Sequence, residues 1–370
     1  MIKNDIDKQY DIYYTGSSNS LYNQRFGKNR VIYREYTIIT SLLKRVFKQK
    51  FKSQYSSIFS FFRSKLQSSK TKENTNSDNI FRILDFGCGD GRIFPVIEKF
   101  ASKHTKTKFE IIAYDPSIVG LREFINNLKQ NGFISIDDNS NDNIIDTKPK
   151  DHPKDMSIID TLVRNNIEVK FLNNKVDAAL ENITYFTNGQ IDAILSIYCP
   201  ISHIQGKMNK RMVIKAFESL LTREGEVIMT VLTPKSFPNE HITYSLLRRQ
   251  YRDTITHGHH VLAEKIKATL GVAVDEGDVY YIMSDGTRLV YNLGHVHTKQ
   301  EFEEDILSSG LKIIKHGVVS IDHPYKTSRS NTKQSFDVLL SLILSSNFPC
   351  YPFYKYDELA KNIYIIAKKV

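Results

Sequence analysis

The sequence predicts an α/β fold: a mostly parallel sheet of seven strands, preceded by a helical N-terminal segment and interrupted by insertions. Three observations carry this expectation. Short apolar runs alternate with amphipathic stretches at helical spacing over most of the chain. The first run, residues 81–86, passes through three alternate glycines (Gly87, Gly89, Gly91) into a helical pattern at residues 93–100. The second run, residues 109–114, ends on Asp115.

Before the first run, residues 33–48 carry Ile38, Ile39, Leu42, Leu43 and Val46 on one helical face, and residues 51–62 continue with aromatic residues. Such a stripe is a core face; the flanking lysines and arginines leave peripheral membrane contact as a second reading. Residues 64–79 are polar and low in complexity, a linker. This gives three regions: a helical segment over 1–63, the linker, and a domain over 80–370 with insertions at 137–155, 233–298 and 322–361.

Within that domain, residues 116–131 read as the second helix and 137–155 as a loose polar insertion. Residues 167–172 form the third strand, 191–198 the fourth, 207–221 a helix, 222–225 a turn and 226–232 the fifth strand. The next insertion holds a basic segment (residues 244–252), a His-rich piece (257–260) and a hairpin, with residues 278–283 and 287–292 flanking Ser284-Asp285-Gly286. Thr298 caps a helix over 299–309, with Glu301 in the capping-box position and Gly310 as its stop. Residues 311–321 and 362–368 are the sixth and seventh strands. Between them lie a short apolar helix (336–344) and an aromatic patch (348–356).

The chain has 370 residues, 41% hydrophobic and 25% charged, ordinary values for a globular protein with ample core. Cys88, Cys199 and Cys350 have no metal-ligand spacing, which points to a reducing, cytoplasmic setting. No apolar run approaches ~20 residues, so no transmembrane helix is expected, and residues 1–5 lack an apolar signal core. The net charge of +10 invites a nucleic-acid partner. Apart from a moderate cluster at residues 44–52, however, the basic residues are spread along the chain, as a compositional habit would spread them.

The spacing in the glycine stretch distinguishes between ligands. A nicotinamide or flavin site uses G-x-G-x-x-G, with a helix N-terminus facing a pyrophosphate. Here the pattern is D-x-G-x-G-x-G, led by Asp85, which would repel phosphates and suits a cationic ligand. With Asp115 at the tip of the second strand, this stretch resembles the signature loop of the class I S-adenosylmethionine-dependent methyltransferases. The resemblance implies a Rossmann-like sheet whose last strand is antiparallel. It also implies S-adenosylmethionine as cofactor, held at Asp85, Gly87, Cys88, Gly89, Gly91, Asp115, Pro116, Asn174 and Ser196. The block from the fourth to the fifth strand, with Ile201-Ser202-His203-Ile204 in its turn, resembles the ubiquinone/menaquinone-biosynthesis type. It departs from that type at Arg223-Glu224-Gly225, where a proline-glycine pair is usual.

Methyl transfer is a displacement in which the protein positions and desolvates, and a base is needed only when the acceptor loses a proton. His203, His295 and His297 are the candidates. A helix-capping turn histidine is an equal reading of His203. No metal is assigned, because no third ligand has suitable spacing beside the His295/His297 pair. The expected acceptor is a small, partly apolar molecule. The alternatives are an RNA methyltransferase, motivated by the charge and by Arg248, Arg249 and Arg252, and a methyltransferase-like binding protein without turnover. Methylation of base amino groups in DNA is disfavoured, since the N-P-P-Y motif is absent.

Overall fold

The structure is a computed structural model of the chain. It describes residues 31–64, 79–136, 158–174, 176–187, 189–204, 206–233, 278–284, 289–321 and 360–370. In chain order the elements are α1 (Val31–Ser64), β1 (Ile80–Phe86), α2 (Phe94–Ala101), β2 (Lys108–Tyr114), α3 (Ile118–Gln130), β3 (Ile134–Ser135), β4 (Ile158–Arg164), β5 (Ile167–Leu172), α4 (Val176–Thr187) and β6 (Ile191–Ser196). A 3₁₀ turn (Pro200–His203) precedes α5 (Lys207–Leu220) and β7 (Leu221–Leu232). The remainder comprises β8 (Asp278–Ser284), β9 (Leu289–His295), α6 (Lys299–Ser308), β10 (Leu311–Ile321) and β11 (Ala360–Lys369).

Nine strands are hydrogen-bonded in the order β10-β11-β7-β6-β1-β2-β5-β4-β3, with β8 and β9 forming a separate antiparallel pair. The expected count of seven is therefore two short. The additions are β3 and β4, which pair antiparallel with each other, and β4 pairs antiparallel with β5. Asn165, at φ 55°, turns the chain between β4 and β5, a conformation asparagine tolerates. Two element boundaries also move. β6 stops at Ser196, because Tyr198 and Cys199 adopt φ 66° and 65°, which no strand can continue through. β7 begins at Leu221, directly after α5, so residues 222–225 are strand rather than turn. The two helical stretches read before the domain are one continuous helix of 34 residues. The insertion at 137–155, the basic and His-rich segments, the apolar helix at 336–344, the aromatic patch and residues 65–78 of the linker lie outside the described residues.

Contacts gather the chain into two compact units. The first comprises Tyr36–Leu195, Ala216–Val227 and Lys368–Val370. Its centre is β1, which pairs parallel with β2 (Ile83 opposite Ile111) and with β6 (Ile83 opposite Ala193). Both faces of these strands are covered, which is why they read as near-continuous apolar runs rather than alternating ones. From β1 the chain steps outward to β2 and β5 on one side and returns to β6 on the other. The strand order thus reverses at β1, and such a reversal opens a crevice at the carboxyl ends of the strands.

Helix α1 supplies core to this unit. Ile39, Leu42, Leu43 and Val46 are buried, and Phe47 and Phe51 join an aromatic cluster with Phe81, Phe100 and Phe109. Each fully buried phenyl ring contributes about 2 kcal/mol. Two buried acids anchor the helix: Glu226 accepts from Arg45 Nε at 2.8 and 3.0 Å, and Asp192 pairs with Lys50 Nζ at 2.7 Å.

The second unit holds Ser196–Lys215 and Ile228–Ala367 together with the segment ending at Glu35. Arg211 Nε on α5 bonds Asp305 Oδ1 on α6 at 2.7 Å. Gly317 on β10 lets Tyr364 of β11 pack against bare backbone, since an added Cβ would lie 2.7 Å from its ring.

Candidate functional site

The loop after β1 lies in the first unit and is held by backbone bonds. The amides of Gly87 and Cys88 both donate to the Tyr114 carbonyl, at 2.8 and 3.0 Å. Gly87, Gly89 and Gly91 have φ of 77°, 55° and 81°, so all three sit where a side chain is disfavoured. Gly91 is also fixed sterically: an added Cβ would clash with the ring of Phe124, which packs from α3 against the loop.

Asp115 ties this loop to the next one. Its Oδ2 accepts the Gly89 amide at 2.8 Å and its Oδ1 accepts the Ser117 amide at 2.8 Å. Ser117 in turn caps α3 by accepting from the Gly120 amide at 3.1 Å. Asn173 Nδ2 donates to the carbonyls of Asp115 and Pro116, both at 3.0 Å, and Tyr114 Oη donates to the Asn174 carbonyl at 3.1 Å. The strand-tip carboxylate thus organises the backbone around it.

Asp85, the last acid on β1, is 2% exposed, and its Oδ2 has no hydrogen-bond partner among the described residues. Burial raises its pKa well above the ordinary carboxylate value, and the neighbouring Asp115 charge raises it further. The Cys88 thiol is likewise pushed up, first by burial and then by Asp85, Asp115 and Asp90. A buried carboxylate oxygen without a donor costs about 1–3 kcal/mol or more. Beside a loop built of glycines, it is a ready acceptor for a cationic or hydrogen-bond-donating ligand group.

The second unit contains a separate polar cluster. Ser196 ends β6 fully buried, with no hydrogen-bond partner for Oγ among the described residues. The left-handed pair Tyr198-Cys199 follows, held in part by the Cys199 amide donating to Thr230 Oγ1 at 2.9 Å. Two consecutive non-glycine residues in this region cost about 1–3 kcal/mol each, strain that surrounding packing must hold. The 3₁₀ turn then presents Ser202 and His203; His203 is partly exposed at its end.

Ser202 Oγ accepts the Leu232 amide at 2.9 Å and lies 3.5 Å from His297 Nδ1. The histidine segment is docked along the end of β7, where the His297 amide donates to the Leu232 carbonyl at 2.8 Å and Leu232 bridges Val296 in parallel. His295 and His297 are both buried, with ring centroids 4.4 Å apart. Their environments differ. His295 Nε2 lies 3.1 Å from Glu301 Oε1, so that nitrogen donates to the carboxylate. His297 Nε2 has no hydrogen-bond partner among the described residues, and burial holds the ring pKa well below its usual value, with His295 and Lys210 adding to the effect. A hydrogen bond to the His295 backbone acts in the opposite sense, raising the pKa. In the tautomer that carries its proton on Nδ1, Nε2 presents a lone pair.

Thr298 caps α6 as expected, accepting the Glu301 amide at 3.1 Å, while the Glu301 side chain serves His295. The structure therefore joins two of the three candidate histidines and adds Ser202 and Glu301, which the sequence reading did not place there. The signals in the sequence are slight: Ser202 adjoins His203 in its turn, and Glu301 stands in the capping-box position of α6. Among the described residues no group of three or more His, Cys, Asp or Glu is arranged to hold a metal ion, and no helix is long and apolar enough to cross a membrane. Two surface clefts of about 730 and 430 Å³ centre on Asn165 and Asn166, before β5. They are at the opposite ends of the strands from the glycine loop.

No protein-family model matches the sequence, and no curated protein matches it. Solved structures overlap it along most of their length. An S-adenosylmethionine-dependent methyltransferase from Clostridium acetobutylicum is 12% identical, covers 91% of this chain and 98% of its own, and gives a TM-score of 0.37. The CcbJ methyltransferase from Streptomyces caelestis is 10% identical over 78% of this chain and 83% of its own, with a TM-score of 0.39. A SAM-dependent methyltransferase from Methanosarcina mazei is 12% identical over 79% and 93%, with a TM-score of 0.41.

Proposed function

We propose that this protein transfers a methyl group from S-adenosylmethionine to a small, partly apolar acceptor. The observation that carries the reading is the Asp85 carboxylate, buried and unmet beside a D-x-G-x-G-x-G loop that Asp115 holds in place. In this reading Asp85, Gly87, Cys88, Gly89, Gly91, Asp115, Pro116, Asn174 and Ser196 hold the cofactor, within a methyltransferase domain over residues 80–370. S-adenosylmethionine, when bound, supplies an electrophilic methyl group attached to its own leaving group. The chain's contribution is binding, orientation and exclusion of water.

Where the acceptor must lose a proton, His297 Nε2 takes it. Burial keeps this ring neutral, and Glu301 fixes its neighbour His295. His203 and His295 stand behind it as the other candidates. The free, buried thiols of Cys88 and Cys199 accord with a reducing, cytoplasmic setting.

Calorimetric titration with S-adenosylmethionine and with NAD tests the cofactor assignment. We expect saturable binding of the first and none of the second; preference for NAD would overturn it.

A further inference from the structure

We infer that Asp85 is a proton-linked seat for positive charge: its carboxyl is protonated in the free protein and releases that proton when a cationic ligand occupies the glycine loop. The inference rests on the cofactor reading above and adds to it a thermodynamic coupling.

The geometry separates the roles of the two buried acids. Asp115 receives N–H donors on both oxygens, from Gly89 and Ser117, and these favour its charged form. Among the described residues, Asp85 Oδ2 has no donor and no basic side chain shifts the carboxyl. The other titratable groups of the loop itself are Cys88, Asp90 and Arg92; the Cys88 thiol is buried and pushed up, so it stays neutral, and Arg92 is not among the groups that shift Asp85. Two carboxylates in one buried layer do not both ionise readily, and the acid without donors is the one that keeps its proton. A sulfonium or ammonium group reverses the balance. It neutralises the repulsion from Asp115 and stabilises the Asp85 carboxylate, and the displaced proton leaves to solvent. No bond of the ligand is made or broken.

Cation binding favours the deprotonated carboxyl, so affinity rises with pH by at most about tenfold per unit between the ligand-bound and ligand-free pKa of Asp85 and is level outside that window.

The test is calorimetry of the full-length protein in buffers of differing ionisation enthalpy, from mildly acidic to mildly alkaline pH. Three probes are used: S-adenosylmethionine, with sulfonium and ammonium charges; S-adenosylhomocysteine, with the ammonium alone; and 5′-methylthioadenosine, with neither. S-adenosylmethionine should release up to about one proton, and 5′-methylthioadenosine none. Release with S-adenosylhomocysteine assigns the seat to the ammonium; its absence assigns it to the sulfonium. Asp85→Asn should abolish both the release and the pH dependence.

Binding of S-adenosylmethionine with a buffer-independent enthalpy would overturn this inference and leave the cofactor reading standing. Equal release with 5′-methylthioadenosine, or release that persists in Asp85→Asn, would also overturn it. Failure of S-adenosylmethionine to bind at any pH would overturn both. The wild-type buffer series decides the matter even if the variant does not fold.

Discussion

Replacing Gly91 by alanine should destabilise the protein by about 3 kcal/mol, and the structure divides that figure into two parts. The first is conformational: at φ 81° an L-residue costs about 1–2 kcal/mol. The second is steric, because the new methyl group would occupy the position of the Phe124 ring, which is 2% exposed and packs against Phe94 and Phe171. Overpacking of this kind typically costs about 1–3 kcal/mol. Gly132 provides the control. Its φ is 82°, but an added Cβ would meet only the Arg164 side chain, at 4.0 Å. Gly132→Ala therefore carries the conformational cost alone, about 1–2 kcal/mol. Urea denaturation of both variants, compared at constant m-value, reads the difference directly. A clearly larger loss for Gly91→Ala is expected. Equal losses would refute the claim that Phe124 fixes the glycine loop.

Further outcomes follow from the same contacts. Asp115→Ala should cost about 1–3 kcal/mol for each amide it strands, those of Gly89 and Ser117, and should weaken S-adenosylmethionine binding; calorimetry and denaturation together check this. Glu110 is held below the usual carboxylate range: burial alone would raise it, but Lys170 and Arg82 outweigh that effect. Its stabilising contribution is therefore present above the unfolded pKa and is lost as pH falls through the folded one. Acid titration of Glu110→Gln should show a flatter loss of stability in that window than wild type. His297 stays neutral in the fold, so an unfolded chain takes up its proton first. Stability from this residue is complete above about pH 6.5 and declines below it by at most about 1.4 kcal/mol per unit. Nitrogen-15 imidazole spectra should show one buried ring that does not titrate there, and His297→Ala should remove that signal; a freely titrating ring contradicts the assignment.

The parallel core was legible because both faces of its strands are buried, which makes residues 81–86, 109–114 and 167–172 apolar enough to identify without partners. The glycine stretch was legible because its φ values exclude most other residues. β3 and β4 were not: each lies on the outer side of β5, and Ile158–Arg164 is half-buried without strong alternation. The Tyr198-Cys199 bend was also hidden, since neither residue advertises a left-handed backbone and the strain is held by tertiary contacts. Ser202 and Glu301 escaped notice for a similar reason. Each carries a local signal, a turn serine and a capping glutamate, while its tertiary partner lies about 95 residues away for Ser202 and six for Glu301.

The central claim is methyl transfer to a small molecule. Its most direct test is incubation of the full-length protein with S-adenosylmethionine labelled in the methyl group, followed by separation of metabolite, lipid, protein and RNA pools. The account predicts label in the metabolite or lipid pool, little changed by added salt, and lost in Asp85→Asn. Label confined to RNA, with binding that falls steeply as salt rises through counterion release, would contradict it. Saturable cofactor binding with no label in any pool would likewise contradict it and leave a binding protein in its place.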